Sequence, residues 1–111
     1  MPSATYALFR DAILKEKQVT CLYGGKRREL CPVIIGHTGG VEKVLAFQFA
    51  GGSTSRLPPG GEWRCLYLAR VTEARLRDGP WREGSRHQSE QTCVADVDLD
   101  VNIHVRNRRE G

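Results

Sequence analysis

"VTCLYGGKRRELCPVIIGH", residues 19–37, decides the architecture. Val19, Cys21 and Tyr23 alternate with Thr20 and Leu22, the two-residue period of a strand with unlike faces. Gly24-Gly25 follows, and a glycine pair between extended segments marks a two-residue hairpin, because both turn positions need positive φ. A second extended run begins at Lys26 and continues through Val33, Ile34 and Ile35 to His37. Pro32 inside that run has no amide hydrogen to give a neighbour, so an edge or a bulge is expected there. The hairpin also sets Lys26, Arg27 and Arg28 in a row. Side chains alternate across a strand, so Lys26 and Arg28 share one face and Arg27 takes the other. Two readings fit these cations. They are a solvated hairpin end, or Arg28 offers its planar guanidinium to a phosphate with a neighbour adding point charge.

Working outward, Ser3 is suited to cap a helix, since its hydroxyl can accept from the free amides of a first turn. Tyr6, Phe9 and Ile13, with Leu8 and Ala12, recur at three- and four-residue steps, predicting one amphipathic helix over about Ala4 to Lys17. Beyond the hairpin, "TGG" turns the chain, and "KVLAFQFA" is a third strand, apolar enough to be covered on both faces. "GGSTSRLPPGGE" (51–62) is the loosest stretch, "WRCLYLARV" and "TEARLR" are strands four and five, joined tightly or running together through a bend, and "DGPWREGSRHQSEQT" is a linker. "CVADVDLDVNIHV" alternates from Val97 to Val105 and is a last strand. One helix followed by five or six short strands is a mainly β pattern. It predicts a small closed or partly open barrel of five strands, closure being what removes the sheet edges that invite aggregation. A chain of 111 residues fits one domain, with residues 1–80 as helix plus barrel and 81–111 as linker plus a C-terminal strand extension. That strand has an edge to join and could pair with a second copy, making a homodimer.

Seventeen basic against 13 acidic residues give a net charge of +4, a mild bias toward anionic partners. The cations gather between Lys26 and Arg86, whereas Asp96, Asp98 and Asp100 share one short stretch. No apolar run approaches the roughly 20 residues that cross a bilayer. "MPSATYALFRDAILKEK" mixes charge into its apolar residues too early for a secretory signal, so a cytoplasmic chain without a membrane partner is expected. Cys21, Cys31, Cys65 and Cys93 form no CxxC pair and each sits in an apolar segment, so buried thiols are expected rather than a zinc site or disulfides. "DVDLDVN" resembles a calcium loop in its alternate oxygens, but Val97, Leu99 and Val101 keep the chain extended and no glycine makes the sharp turn. His37, His87 and His104 have no ligand or dyad spacing, and neither a nucleophile elbow nor a phosphate loop occurs. A binding module with no cofactor is expected, not an enzyme.

A second basic pattern lies in "WRCLYLAR". Arg64, Leu66, Leu68 and Arg70 fall on one face of an extended strand, and Trp63, Cys65, Tyr67 and Ala69 on the other. Either the two arginines bracket a core-facing pair of leucines to meet an anion, or strand twist turns both ends to solvent.

Taken in order, these motifs resemble the WYL domain, a bacterial module with an SH3-like or Sm-like barrel. The likeness runs over roughly residues 5 to 77. It rests on Ala12-Ile13 closing the helix, Tyr23 closing a strand, Arg28, Leu30 and Pro32 in R-x-apolar-x-P, the strand "VLAFQF", and "WRCLYLARV" ending in Arg70-Val71. The Trp-Tyr-Leu signature itself is replaced by "KVLAF", and Tyr67 stands where many members carry a second arginine. The resemblance implies a regulatory or ligand-sensing module, with Tyr23, Arg28 and Arg70, and Arg64 more loosely, matching the family's basic pocket. Its ligand would be anionic, single-stranded nucleic acid or a nucleotide, with Tyr23 or Tyr67 as a stacking surface. One helix cannot make a winged helix–turn–helix, so the resemblance implies a separate DNA-binding partner.

Overall fold

The computed structural model describes residues 3–51, 61–81 and 91–102. Helix α1 (Ala4–Lys15) starts at Ser3, whose hydroxyl accepts the Tyr6 amide hydrogen at 3.1 Å. It stops two residues before the sequence pattern does. Glu16 adopts a left-handed φ of 50°, and the amides of Glu16 and Lys17 turn back to the carbonyls of Ile13 and Ala12, a Schellman closure. Tyr6, Phe9, Ala12 and Ile13 form the buried stripe.

Six antiparallel strands follow: β1 (Gln18–Tyr23), β2 (Lys26–Thr38), β3 (Val41–Gly51), β4 (Glu62–Tyr67), β5 (Val71–Arg77) and β6 (Asp96–Asp100). Gly24-Gly25 and Gly39-Gly40 make the two hairpin turns, all four at positive φ. The strand order is β4-β3-β2-β1-β5, with β6 on β2. β2 pairs with β3 along one edge. Its other edge is taken first by β1, opposite Lys26 to Leu30, and then by β6, opposite Ile34 to His37. Pro32 sits between those two ladders, where a missing amide hydrogen costs nothing on that edge, and the register with β3 shifts between Pro32 and Ile34. Gly36 lets β6 come close: a Cβ there would meet the Asp96 carbonyl oxygen at 2.0 Å.

Three expectations need correction. The sheet is not closed into a barrel among the described residues: β4 and β5 are its two end strands and are joined only by the 3-10 turn Leu68–Arg70. The last strand stops at Asp100 rather than Val105. The Asp100 carboxylate accepts the Asn102 amide hydrogen at 2.8 Å, a helix-capping bond that ends the extended run although the alternation continues. Residues 103–105 lie outside the described residues. Within the chain this strand pairs with β2.

The third correction concerns the cysteines. Cys21 and Cys31 are buried thiols as expected, but Cys65 and Cys93 form a disulfide. Their separation of 28 residues conceals that both lie beside β3. Cys65 is opposite Leu45, and the Cys93 Sγ is 3.6 Å from the Val44 carbonyl oxygen. The segment before β6 is therefore part of the core through Cys93 and Val94, and Val101, just after β6, is as buried as Phe9 and Ile13.

α1 packs against β2, β5 and β6. The Tyr6 hydroxyl donates to Asp98 on β6, His37 Nδ1 lies 3.2 Å from the same carboxylate oxygen, and the Tyr6 and His37 rings stack at 5.6 Å. No helix among the described residues is long and apolar enough to cross a membrane.

Two predictions follow from these contacts. Burial, then the bond to Asp98 and its charge, push the Tyr6 phenol above its ordinary 10.0. The fold thus favours the protonated phenol, a contribution complete below about pH 10 and lost as pH rises beyond it. Denaturant unfolding between neutrality and alkaline pH should show stability falling in that upper window, and Tyr6→Phe should flatten the fall. Opening the disulfide frees a 28-residue separation, and Cys65→Ser should cost about 3–4 kcal/mol by chain entropy. Equal unfolding midpoints with and without reductant would refute the bond's contribution.

Candidate anion-binding site

Arg28 faces inward from β2 and is only 5% exposed. Strand alternation puts it there: Cys21, its partner on β1, is buried beside it, and Leu30 continues the same face. Its Nη1 donates to Gln48 Oε1 at 3.1 Å and its Nη2 to the Tyr23 carbonyl at 3.3 Å. Its Nε has no partner among the described residues. Arg64, on β4, donates from Nε to the same Gln48 Oε1 at 3.1 Å. Two guanidiniums therefore share one neutral acceptor. The nearest carboxylate is Glu62, whose Oε2 is 3.2 Å from Arg64 Nη2 in a geometry that makes no hydrogen bond. No carboxylate pairs with Arg28 itself among the described residues.

Tyr23 closes the group on the other side. The Arg28 guanidinium carbon lies 5.5 Å from its ring centre and that of Arg70 lies 5.4 Å away, both within cation–π range. The Tyr23 hydroxyl accepts the Tyr67 amide hydrogen at 3.2 Å. Arg70 reaches the ring from the 3-10 turn, not from a continued strand. The turn breaks the alternation that would have carried it in line with Arg64.

Electrostatics follow from burial. Desolvation first, and then the like charge of Arg64, pull the Arg28 guanidinium below its ordinary value. Burial pushes the Cys21 thiol up to about 11 against the opposing pull of Arg28, so it is a protonated wall of the site and not a nucleophile.

Of the five residues named from the sequence, Tyr23, Arg28, Arg64 and Arg70 come together. Tyr67 joins only through its backbone. Its ring is 43% exposed and lies under Lys43 Nζ at 4.8 Å, away from Arg28. Gln48 was missed, although a glutamine inside "VLAFQF" is the kind of buried polar residue that needs a partner. It is fully buried and holds both arginines. Among the described residues, no group of His, Cys, Asp and Glu side chains could hold a metal ion.

No family model, curated protein or solved structure matches this chain.

A buried cation without a counter-charge destabilises the fold that holds it. Arg28→Met should keep the volume, leave Gln48 its bond from Arg64, and hold or raise stability by about 1 kcal/mol or more. Denaturant titration without any added anion measures this. A loss of stability would mean that the two bonds made by Arg28 outweigh its desolvation.

Proposed function

We propose that the domain is a non-catalytic module binding the phosphate of an anionic ligand, single-stranded nucleic acid or a nucleotide, at Arg28, Arg64 and Arg70. The observation that carries this is Arg28, 5% exposed, whose Nε and whose charge have no partner among the described residues. Guanidiniums gathered around a neutral glutamine form a donor set for an oxyanion, and an arriving phosphate supplies the missing counter-charge. The Tyr23 ring, with the Arg28 and Arg70 guanidinium carbons 5.5 and 5.4 Å from its centre, adds an aromatic surface beside those cations. The strand order with a 3-10 corner between β4 and β5 is consistent with an SH3-like or Sm-like barrel, and the motif order with a WYL-like regulatory role. On that reading a separate partner reads the DNA.

Titration of a labelled oligonucleotide, and separately of a nucleoside triphosphate, at several salt concentrations tests the proposal. For a single strand, log affinity should fall against log salt with a slope of about 0.7 per phosphate neutralised. Arg28→Ala and Arg70→Ala should each weaken binding and reduce that slope by about one contact. Affinity indifferent to both substitutions would reject the site. A nucleotide that binds with no oligonucleotide affinity would select the small ligand.

A further inference from the structure

Arg27 points away from the site just described, and what it faces is a second basic cleft. The β1–β5 ladder pairs Thr20 with Arg75 and then Leu22 with Thr72, so Glu73 and Ala74 on β5 stand against the single residue Cys21. This is a β-bulge. Its first residue, Glu73, has a φ of 52°, a left-handed conformation that costs a side-chain-bearing residue about 1–2 kcal/mol. Bulges of this kind re-aim side chains, and strain of this size persists where the surroundings enforce it.

Beside the bulge is a cleft of about 170 Å³ lined by Thr20, Cys21, Leu22, Arg27, Glu73 and Arg75. The volume is well below the roughly 300–1,000 Å³ of a drug-sized site, so the cleft suits one compact group. Arg77, two residues beyond Arg75, engages Glu29 and Gln18 with all three of its nitrogens. Arg27 and Arg75, by contrast, have no carboxylate within ion-pair distance among the described residues, not even the Glu73 that shares their cleft. The cleft thus offers two unspent cations, a threonine hydroxyl and one unpaired carboxylate.

We infer that this cleft is a second anion site, selective for phosphate over sulfate, with Arg27 and Arg75 supplying charge and Glu73 accepting a proton-borne hydrogen bond. The selectivity rests on elementary acid–base chemistry. At neutral pH phosphate keeps at least one hydroxyl and can donate it to a carboxylate, whereas sulfate has no proton and meets Glu73 only as a like charge. Thr20 can donate to either anion. The proposal is independent of the Arg28 site, since Arg27 and Arg28 stand on opposite faces of β2.

The test uses the full chain and two probes, inorganic phosphate and inorganic sulfate, followed by the amide resonances of Thr20, Leu22 and Glu73. Phosphate should shift them saturably, with sulfate about tenfold weaker or more, the ratio expected for one hydrogen bond to a charged group. Arg27→Ala and Arg75→Ala should each weaken phosphate severalfold. Glu73→Gln should bring the two anions to equal affinity. Glu73→Gly removes the carboxylate while suiting the positive φ, so it should give the same loss of discrimination in a protein no less stable. Absent shifts, equal response to both anions in the unaltered protein, or discrimination that survives Glu73→Gly would each overturn the inference.

Discussion

Hydrogen bonding along both edges of one strand holds this molecule together. β2 is paired with β3 on one side, and with β1 and then β6 on the other. Its buried residues Leu30, Val33, Ile34 and Ile35 belong to the same core cluster as Tyr6, Phe9, Ala12 and Ile13 of α1, which packs against β2. Two residues make the double use of the far edge feasible. Pro32 falls where neither β1 nor β6 needs a donor, and Gly36 has no Cβ to block the Asp96 carbonyl. A side chain at Gly36 would drive β6 outward. It would also loosen the Asp98 contacts that fasten Tyr6, and with them the docking of the helix.

The same strand delivers Arg28 to the interior, and this works against stability. An arginine that is nine-tenths buried gives up most of its hydration, and a neutral amide oxygen and a backbone carbonyl recover only part of it. Arg64 adds repulsion from the same side. Arg77 is satisfied differently: it binds both Glu29 and Gln18, pairing its charge and engaging all three guanidinium nitrogens. Arg77 is thus paired within the fold, whereas Arg28 has no carboxylate partner among the described residues.

The legible parts of the fold are those fixed by local chemistry. Gly24-Gly25 and the Gly39-Gly40 pair in "TGG" specified hairpins because few other residues accept two consecutive positive φ values. The α1 stripe was legible because three- and four-residue spacing has one geometric meaning. What could not be read depends on contacts between distant segments. The Cys65–Cys93 bond requires knowing that two segments 28 residues apart both reach β3. Gln48 looks like a strand residue until two arginines from different strands are seen to converge on it. The end of β6 was misread because Asp100 interrupts a pattern of alternation that Val101 continues, and capping chemistry overrides periodicity there. Arg64 and Arg70 were grouped for a partly wrong reason. They do meet the same cluster, but a 3-10 turn, not strand alternation, carries Arg70 to it.

The three consecutive cations at the hairpin illustrate how a pleated strand divides a basic run. Neighbouring side chains on an extended backbone cannot act on one ligand, because successive Cβ atoms point to opposite faces. Arg28 is drawn to the side that Cys21 and Leu30 make apolar, and becomes a buried donor. Arg27 is left on the side of Thr20 and Leu22, where the bulge at Glu73 opens a cleft in an otherwise regular ladder. Lys26 shares the face of Arg28 but lies at the turn, exposed, where a flexible ammonium stays hydrated and adds only screened, long-range attraction. Net charge counts the three alike, yet their environments give them different work. The burial of each side chain, and the partners each guanidinium lacks among the described residues, give the three cations three different environments.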